Sequence, residues 1–258
     1  MIDGGQAYLD KLSHMTPGAS QSPEEYAAYH KQRFERVLAF CAQYCPDPES
    51  SVLDIGRSVL SGMLLQRYTN VTTMGFPLDA GGGMPDDLPL TGIRGHIAYD
   101  LNKAQSLEDI PSRETFDLIV FAEVVEHLYT APELTMFALR SLMKPGGIMI
   151  VQTPNAASLN RRLKALIGLS TTERIRIDNT NPGHFREYTK SELVEIAGIA
   201  GFDICEHQYL EYFGVAGTAR ASLARALFAA VVALIPSFRR GQTLILRRTV
   251  SSTGAAER

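Results

Sequence analysis

The stretch from Phe116 to Asn155, FDLIVFAEVVEHLYTAPELTMFALRSLMKPGGIMIVQTPN, constrains the fold more than any other part of the chain. Leu118 to Phe121 is an unbroken apolar run of strand length, the pattern of a strand buried on both faces. An acidic turn with Glu123, Glu126 and His127 follows it. Thr130 and Glu133 have the spacing of a capping box and Pro132 falls in the first turn, which predicts a helix start. Lys144-Pro145-Gly146-Gly147 then predicts the helix stop, and Ile148 to Val151 a second buried strand. The unit reads strand–helix–strand, with polar groups gathered just past the carboxyl end of the first strand. Open parallel sheets bind their ligands at that edge.

A chain of 258 residues is long enough for one sizeable α/β domain with insertions. Its 45% hydrophobic and 21% charged content is that of a globular protein, and a net charge of −3 argues against general nucleic-acid binding. Cys41, Cys45 and Cys205 cannot all pair and lack metal-site company, so they read as small buried hydrophobes of a reducing cytoplasm. No basic-then-apolar leader opens the chain and no uncharged apolar run nears ~20 residues, so neither export nor a membrane span is expected.

Ser22-Pro23-Glu24-Glu25 predicts a helix start, and the helix should run to about Tyr44, before Pro46-Asp47-Pro48. Residues 1–21 read as a loose arm or short helix, which makes 1–50 an N-terminal helical arm. The main domain is placed at 51–250 with insertions at 156–182 and 214–236, and 251–258 as a tail. Within it, strands are expected at Val52–Ile55, Val71–Gly75 and Ile97–Tyr99, with helix over Gly62–Tyr68 and a Gly/Pro-rich loop from Pro77 to Leu90. Further on, Ser158–Ile167 reads as helix, Thr189-x-x-Glu192 as a capping box for a helix ended by Gly201, and Val215–Ile235 as an apolar helix. Phe202–Tyr209 and Thr243–Arg248 read as antiparallel final strands.

FDLIVFAEVVEHL, LMKPGG, the strand ending in TPN and GHFREYTKSELVEIAGIAGF at 183–202 occur in that order, and with the first strand they cover Val52 to Tyr209. In this the chain resembles the class I S-adenosylmethionine-dependent methyltransferases, in the branch of ubiquinone-type O-methyltransferases and sugar-tailoring enzymes. The resemblance implies an α/β fold: a Rossmann-like, seven-stranded, mostly parallel sheet with helices on both faces and an antiparallel last strand. It also implies S-adenosyl-L-methionine as cofactor.

By that resemblance Val52-Leu53-Asp54-Ile55-Gly56 is the first strand and cofactor turn, with Asp54 as anchor and Gly56 giving close backbone approach, beside Arg57 and Ser58. Ser58 stands where the family has its second glycine and Leu60 where the third often is. The family's ribose-binding acid after strand two is replaced by Met74-Gly75-Phe76-Pro77. Asp79 is either a late substitute for it or a solvated loop aspartate, and Phe76 is either an adenine contact or ordinary core. Asp100 and Leu101 match the adenine-edge site, the alternative for Asp100 being a helix cap. Ala122 and Glu123 should lie beside the cofactor, and Arg33 on the long first helix is either a solvated surface residue or a candidate for its carboxylate.

Methyl transfer from a sulfonium needs alignment and, for a hydroxyl acceptor, a base. His127 is the first candidate, its alternative role being to bond backbone. His184, Arg186 and Tyr188 should face the same cleft from the other side, or else brace their loop. No residue set is assigned to a metal. Arg161, Arg162, Lys164, Arg174 and Arg176 make the first insertion basic, which suits an anionic, saccharide or lipid-linked acceptor if it is not simply a solvated face. The apolar 214–236 segment, with arginines around it, reads as a core or dimer helix, or as a peripheral membrane contact. The reading is O-methylation of a sugar hydroxyl in polysaccharide or glycolipid synthesis. Its rivals are a small-molecule or quinone-like acceptor, a cofactor-binding protein without catalysis, and a peripheral-membrane assembly factor.

Overall fold

A computed structural model describes residues 23–78, 91–105, 110, 112–176, 182–212 and 223–249. The arm at 1–21, Ser22, Asp79 with most of the 77–90 loop, parts of both insertions including Arg220, and the 251–258 tail lie outside the described residues.

Seven strands form one sheet: β1 Ser51–Ile55, β2 Asn70–Gly75, β3 Gly95–Ala98, β4 Phe116–Ala122, β5 Met143–Pro154, β6 Phe202–Leu210 and β7 Gly241–Arg248. Their order is β3-β2-β1-β4-β5-β7-β6, with β7 antiparallel to both its neighbours and the other pairings parallel. The apolar runs exist because both faces are covered. Val52, Leu118, Val120, Ile148, Ile150 and Ile245 face one core, shared with α1 (Pro23–Tyr44) and α2 (Val59–Leu65). Leu53, Ile119, Phe121, Met149, Val151 and Leu246 face the other, shared with α3 (Pro132–Ser141) and α5 (Lys190–Ile199).

Helix α1 buries Phe34, Val37 and Cys41, a stripe on one face, and Cys45 just past its end is buried with them. The Tyr68 hydroxyl closes its end by donating to the carbonyls of Cys41 (3.1 Å) and Cys45 (2.6 Å). This helix is therefore part of the sheet body rather than an arm, and a boundary at residue 50 divides nothing over 23–44.

Four element boundaries differ from expectation. Helix α2 ends at Leu65, short of Tyr68; it starts at Val59, where Ser58 caps it and exchanges bonds with Ser61. Strand β3 ends at Ala98, because its partner β2 ends at Gly75, although Tyr99 N–H still donates to the Gly75 carbonyl. The Thr130–Glu133 box does not form: Pro132 at the helix start makes Ala131 the cap, which puts Glu133 one position too early for a box. Helix α3 ends at Ser141, before Lys144-Pro145-Gly146-Gly147, which instead makes an irregularity inside β5. There Phe116 pairs with Met143 whereas Leu118 pairs with Ile148. The capping box of Thr189 and Glu192 does form, and Gly201, at φ +78°, follows the end of α5.

The strand order reverses between β1 and β4, so the carboxyl ends of these strands flank the topological switch point. The two insertions contribute α4 (Leu159–Leu166) and α6 (Leu223–Leu234), and among the described residues no helix is long and apolar enough to cross a membrane.

Candidate active site

At the end of β1, Gly56 has φ +85° and its N–H donates to the Met74 carbonyl at 2.8 Å. That left-handed backbone favours glycine. A side chain there would also press toward Val124 of the β4 turn, its Cβ 3.6 Å from Cγ2. Asp54 is fully buried and accepts from the Ser61 hydroxyl at 2.5 Å, which anchors the turn to α2. Burial pushes its carboxyl up to about 7, against the opposing pull of the Ser61 hydrogen bond and the charge of Arg33. The Ser58 hydroxyl is committed to the helix cap, and Arg57 lies half-buried beside it.

Phe76 is 51% exposed at the end of β2, so it is not core. Its carbonyl bonds His96 Nε2 at 2.9 Å, and Thr73 Oγ1 holds the other ring nitrogen at 2.8 Å. Asp100 is the cap of the short turn of helix at Leu101–Lys103, accepting through Oδ1 from Asn102 N and Nδ2, each at 3.0 Å. Asn102 Oδ1 in turn accepts from Tyr129 N at 2.8 Å, which ties this turn to the one after β4. Leu101 is buried and its carbonyl accepts from Thr135.

After Ala122, which is half-buried, Glu123 turns the chain with φ +55°, and its N–H donates to the Gln152 carbonyl at 2.7 Å. A left-handed non-glycine residue at a strand end is a strained position of the kind found at functional sites. Glu126 is completely buried: Thr153 donates to Oε2 at 2.9 Å, and Oε1 has no hydrogen-bond partner. Burial, then the neighbouring Glu123 charge, pushes its carboxyl well above the usual range. Glu123 is raised too, mainly by burial. Arg33, 3% exposed on α1, is the cation whose field reaches Asp54, Glu123 and Glu126. The expected helix-surface arginine is thus an interior one.

The loop of residues 182–189 covers this turn. The Phe185 and Arg186 N–H groups both donate to the Glu126 carbonyl, at 2.8 and 3.3 Å. Gly183, at φ +87°, presents its carbonyl to His127 Nδ1 at 2.9 Å. That bond requires the proton on Nδ1 of His127. Burial, then the charge of His184, lowers its pKa to about 4. The His127 and His184 rings meet edge to face at 4.8 Å, and His184 Nδ1 bonds Glu187 Oε1 at 2.8 Å. Atoms of Glu126, His127 and His184 converge within 4.8 Å of one another. A carboxyl and two imidazoles this close are groups that can pass protons among themselves.

Tyr188 does not face the cleft as expected. It is a core residue, 3% exposed, with its ring under the Arg186 guanidinium. Arg186 itself is exposed and pairs with Glu192 at 2.7 Å. Sequence reasoning placed Glu126 in the acidic turn without a role and passed over Glu187, Gln152 and Tyr212. Tyr212 is buried, its hydroxyl bonding Thr243 (2.6 Å) and Gln152 (3.0 Å). It also lines a cavity of about 1100 Å³ between α1, the end of β6 and α6, with Tyr29, Gln32, Phe228 and Val232 among its walls. The signal for the first two was spacing: Glu123-x-x-Glu126 and His184-x-x-Glu187 each sit inside the quoted motifs.

A family model described as a methyltransferase domain matches residues 26–207. A ubiquinone biosynthesis O-methyltransferase of Rhodopseudomonas palustris (strain BisB5) is 32% identical over 114 residues, 44% of this chain and 42% of that protein. The chain spans less than half the length of the curated relatives it matches. Two solved structures share the fold at low identity. Magnesium protoporphyrin IX methyltransferase from Synechocystis PCC 6803, with bound SAH, has a TM-score of 0.54 at 17% identity, over 94% of this chain and 95% of that one. The 1,6-didemethyltoxoflavin-N1-methyltransferase of Burkholderia thailandensis, with 1,6-didemethyltoxoflavin and S-adenosylhomocysteine bound, has a TM-score of 0.54 at 16% identity, over 91% and 94%.

Proposed function

This chain belongs to the methyltransferase-domain family, and from that membership we propose that it transfers a methyl group from S-adenosyl-L-methionine to a hydroxyl of a small-molecule acceptor. The observation that carries the reading is the switch point itself. Left-handed Gly56, exposed Phe76, the Asp100 cap and strained Glu123 share one sheet edge, with two histidines above it. The residues suit the cofactor: an open backbone turn for its amino-acid end, an apolar ring and a carboxylate for its adenosine end. The cofactor supplies a methyl group already activated on a sulfonium. What remains for the chain is to orient the acceptor, exclude water and take up a proton. The oxygen acceptor is favoured by the names of the curated relatives.

A saccharide or anionic acceptor draws its support from the basic insertion, and several of those charges are engaged inside the protein. Arg161 pairs with Glu187, Arg176 with Glu173, and Arg162 bonds the Ala157 carbonyl and lies over the Phe238 ring. These engaged charges support a small hydroxyl compound without a required anionic group as the acceptor. Incubating the protein with methyl-labelled cofactor and separate pools of phenolic, saccharide and aliphatic hydroxyl compounds tests this. Label appearing as a methyl ether supports it, and label only on nitrogen or sulfur refutes it.

A specific observation favours membrane contact as well. Helix α4 buries no residue, and Leu166 (81% exposed) and Ile167 lie bare at its end. Leu227, Leu234 (81% exposed) and Ile235 are bare on and after α6. The Arg162 guanidinium lies over the ring of Phe238, which follows α6, and Arg162 and Lys164 flank Leu163 in the sequence of α4. Apolar side chains interleaved with basic ones suit an anionic membrane surface.

A further inference from the structure

We propose that Glu187 is a positioning residue that makes His184, rather than His127, the proton acceptor for the hydroxyl substrate. The proposal rests on the methyl-transfer reading of the cleft. The Glu187 side chain is 2% exposed, and its Oε1 accepts from His184 Nδ1 at 2.8 Å and from the Arg161 guanidinium. A carboxylate partner requires the proton on Nδ1, which leaves the Nε2 lone pair of His184 as the acceptor. The same carboxylate gives the imidazolium formed by proton uptake an adjacent counter-charge. Glu187 Oε2 is buried with no hydrogen-bond partner, a poor arrangement for a residue whose only work is to brace Arg161.

His127 has the opposite surroundings. A neutral carbonyl, that of Gly183, holds its Nδ1 proton, and no carboxylate bonds the ring. Burial and the charge of His184 keep it neutral, so it serves as a wall against which the His184 ring is set edge-on. The titratable and charged groups facing His184 are Glu187, Arg161 behind it, His127 and Glu126 beside it, and Glu123 across the turn. The step balances: the acceptor O–H proton passes to His184 Nε2 as the new O–CH3 bond forms and the methyl–sulfur bond breaks. The sulfur leaves as a neutral thioether, and the imidazolium later yields its proton to solvent. Because Arg161 lies on α4, the first insertion also holds the base in place.

Long-range 1H–15N NMR of the imidazoles in the full chain, wild type and Glu187→Gln, tests the assignment, with S-adenosylhomocysteine affinity as control. His184 should be the Nδ1–H tautomer. In Glu187→Gln, whose amide can donate as well as accept, the Nε2–H tautomer should appear, Glu187→Asp should keep Nδ1–H, and cofactor-product affinity should stay within about twofold. An Nε2–H tautomer for wild-type His184, or a tautomer population unmoved in Glu187→Gln, would overturn the proposal. So would broadening of both imidazoles by micromolar Mn2+, which would make them cation ligands. Loss of S-adenosylhomocysteine binding with the imidazole signals unchanged would instead overturn the methyl-transfer reading.

Discussion

Asp54 couples the site to pH. Its carboxyl is neutral when folded up to about pH 7, whereas in the unfolded chain it ionises near 3.8. A buried acid raised in this way stabilises the fold fully below its unfolded pKa, and the contribution is lost as pH rises through the folded one. Between pH 5 and pH 8 the loss from Asp54 should be roughly 3 kcal/mol, and Glu123 and Glu126 act in the same direction. Denaturant titration should find Asp54→Asn less sensitive to pH over that window. An equal slope would take Asp54 out of the account. Asp100→Ala, which removes a cap and the carboxylate proposed for the adenosine end, should weaken S-adenosylhomocysteine about tenfold by calorimetry. Candidate residues that motifs carry, such as Gly56, His127 and His184, were legible in the sequence. Burial was not: Arg33 reads as a solvated helix residue and is interior, and Tyr188 reads as a cleft residue and is core. Such reversals follow from which loop folds over which turn, and local spacing does not encode that.

Two close approaches of the backbone hold the elements in place. A Cβ on Gly241 would lie 2.0 Å from a ring carbon of Tyr212, so Gly241→Ala must displace that tyrosine and its bonds to Gln152 and Thr243. It should cost about 1–3 kcal/mol in denaturant titration and disturb the cavity beside Tyr212. Gly147→Ala places its Cβ 2.9 Å from the Lys144 carbonyl oxygen and 3.1 Å from that of Phe116. Those are backbone atoms with little freedom, so a loss of similar size is expected, and unchanged stability would show that the bend in β5 yields. The apolar runs predicted the buried strands because a doubly covered strand leaves an unbroken signature. Capping boxes were less even. Thr189–Glu192 forms because the chain enters α5 one residue after Thr189, whereas at Thr130 the proline moves the helix start by a residue.

At the scale of the whole molecule, the bare apolar residues of α4 and α6 should carry the chain onto anionic liposomes and not neutral ones in flotation, with salt weakening the attachment. Leu166→Glu and Leu227→Glu change exposed positions, so they should abolish flotation and leave stability within about 0.5 kcal/mol. Flotation that ignores both substitutions would put the contact elsewhere. The sheet order needed the structure, but the ligand edge did not, since strand–turn–helix units always present that edge. The central claim is that the β1–β4 switch point binds S-adenosylmethionine, and titration calorimetry of the full chain tests it directly. The account expects one site each for S-adenosylmethionine and S-adenosylhomocysteine, with Kd of about micromolar order, and strong weakening in Gly56→Val, where φ +85° disfavours a branched side chain. A folded protein that binds neither compound at about 1 mM, or a Gly56→Val variant that binds as the wild type does, would contradict it.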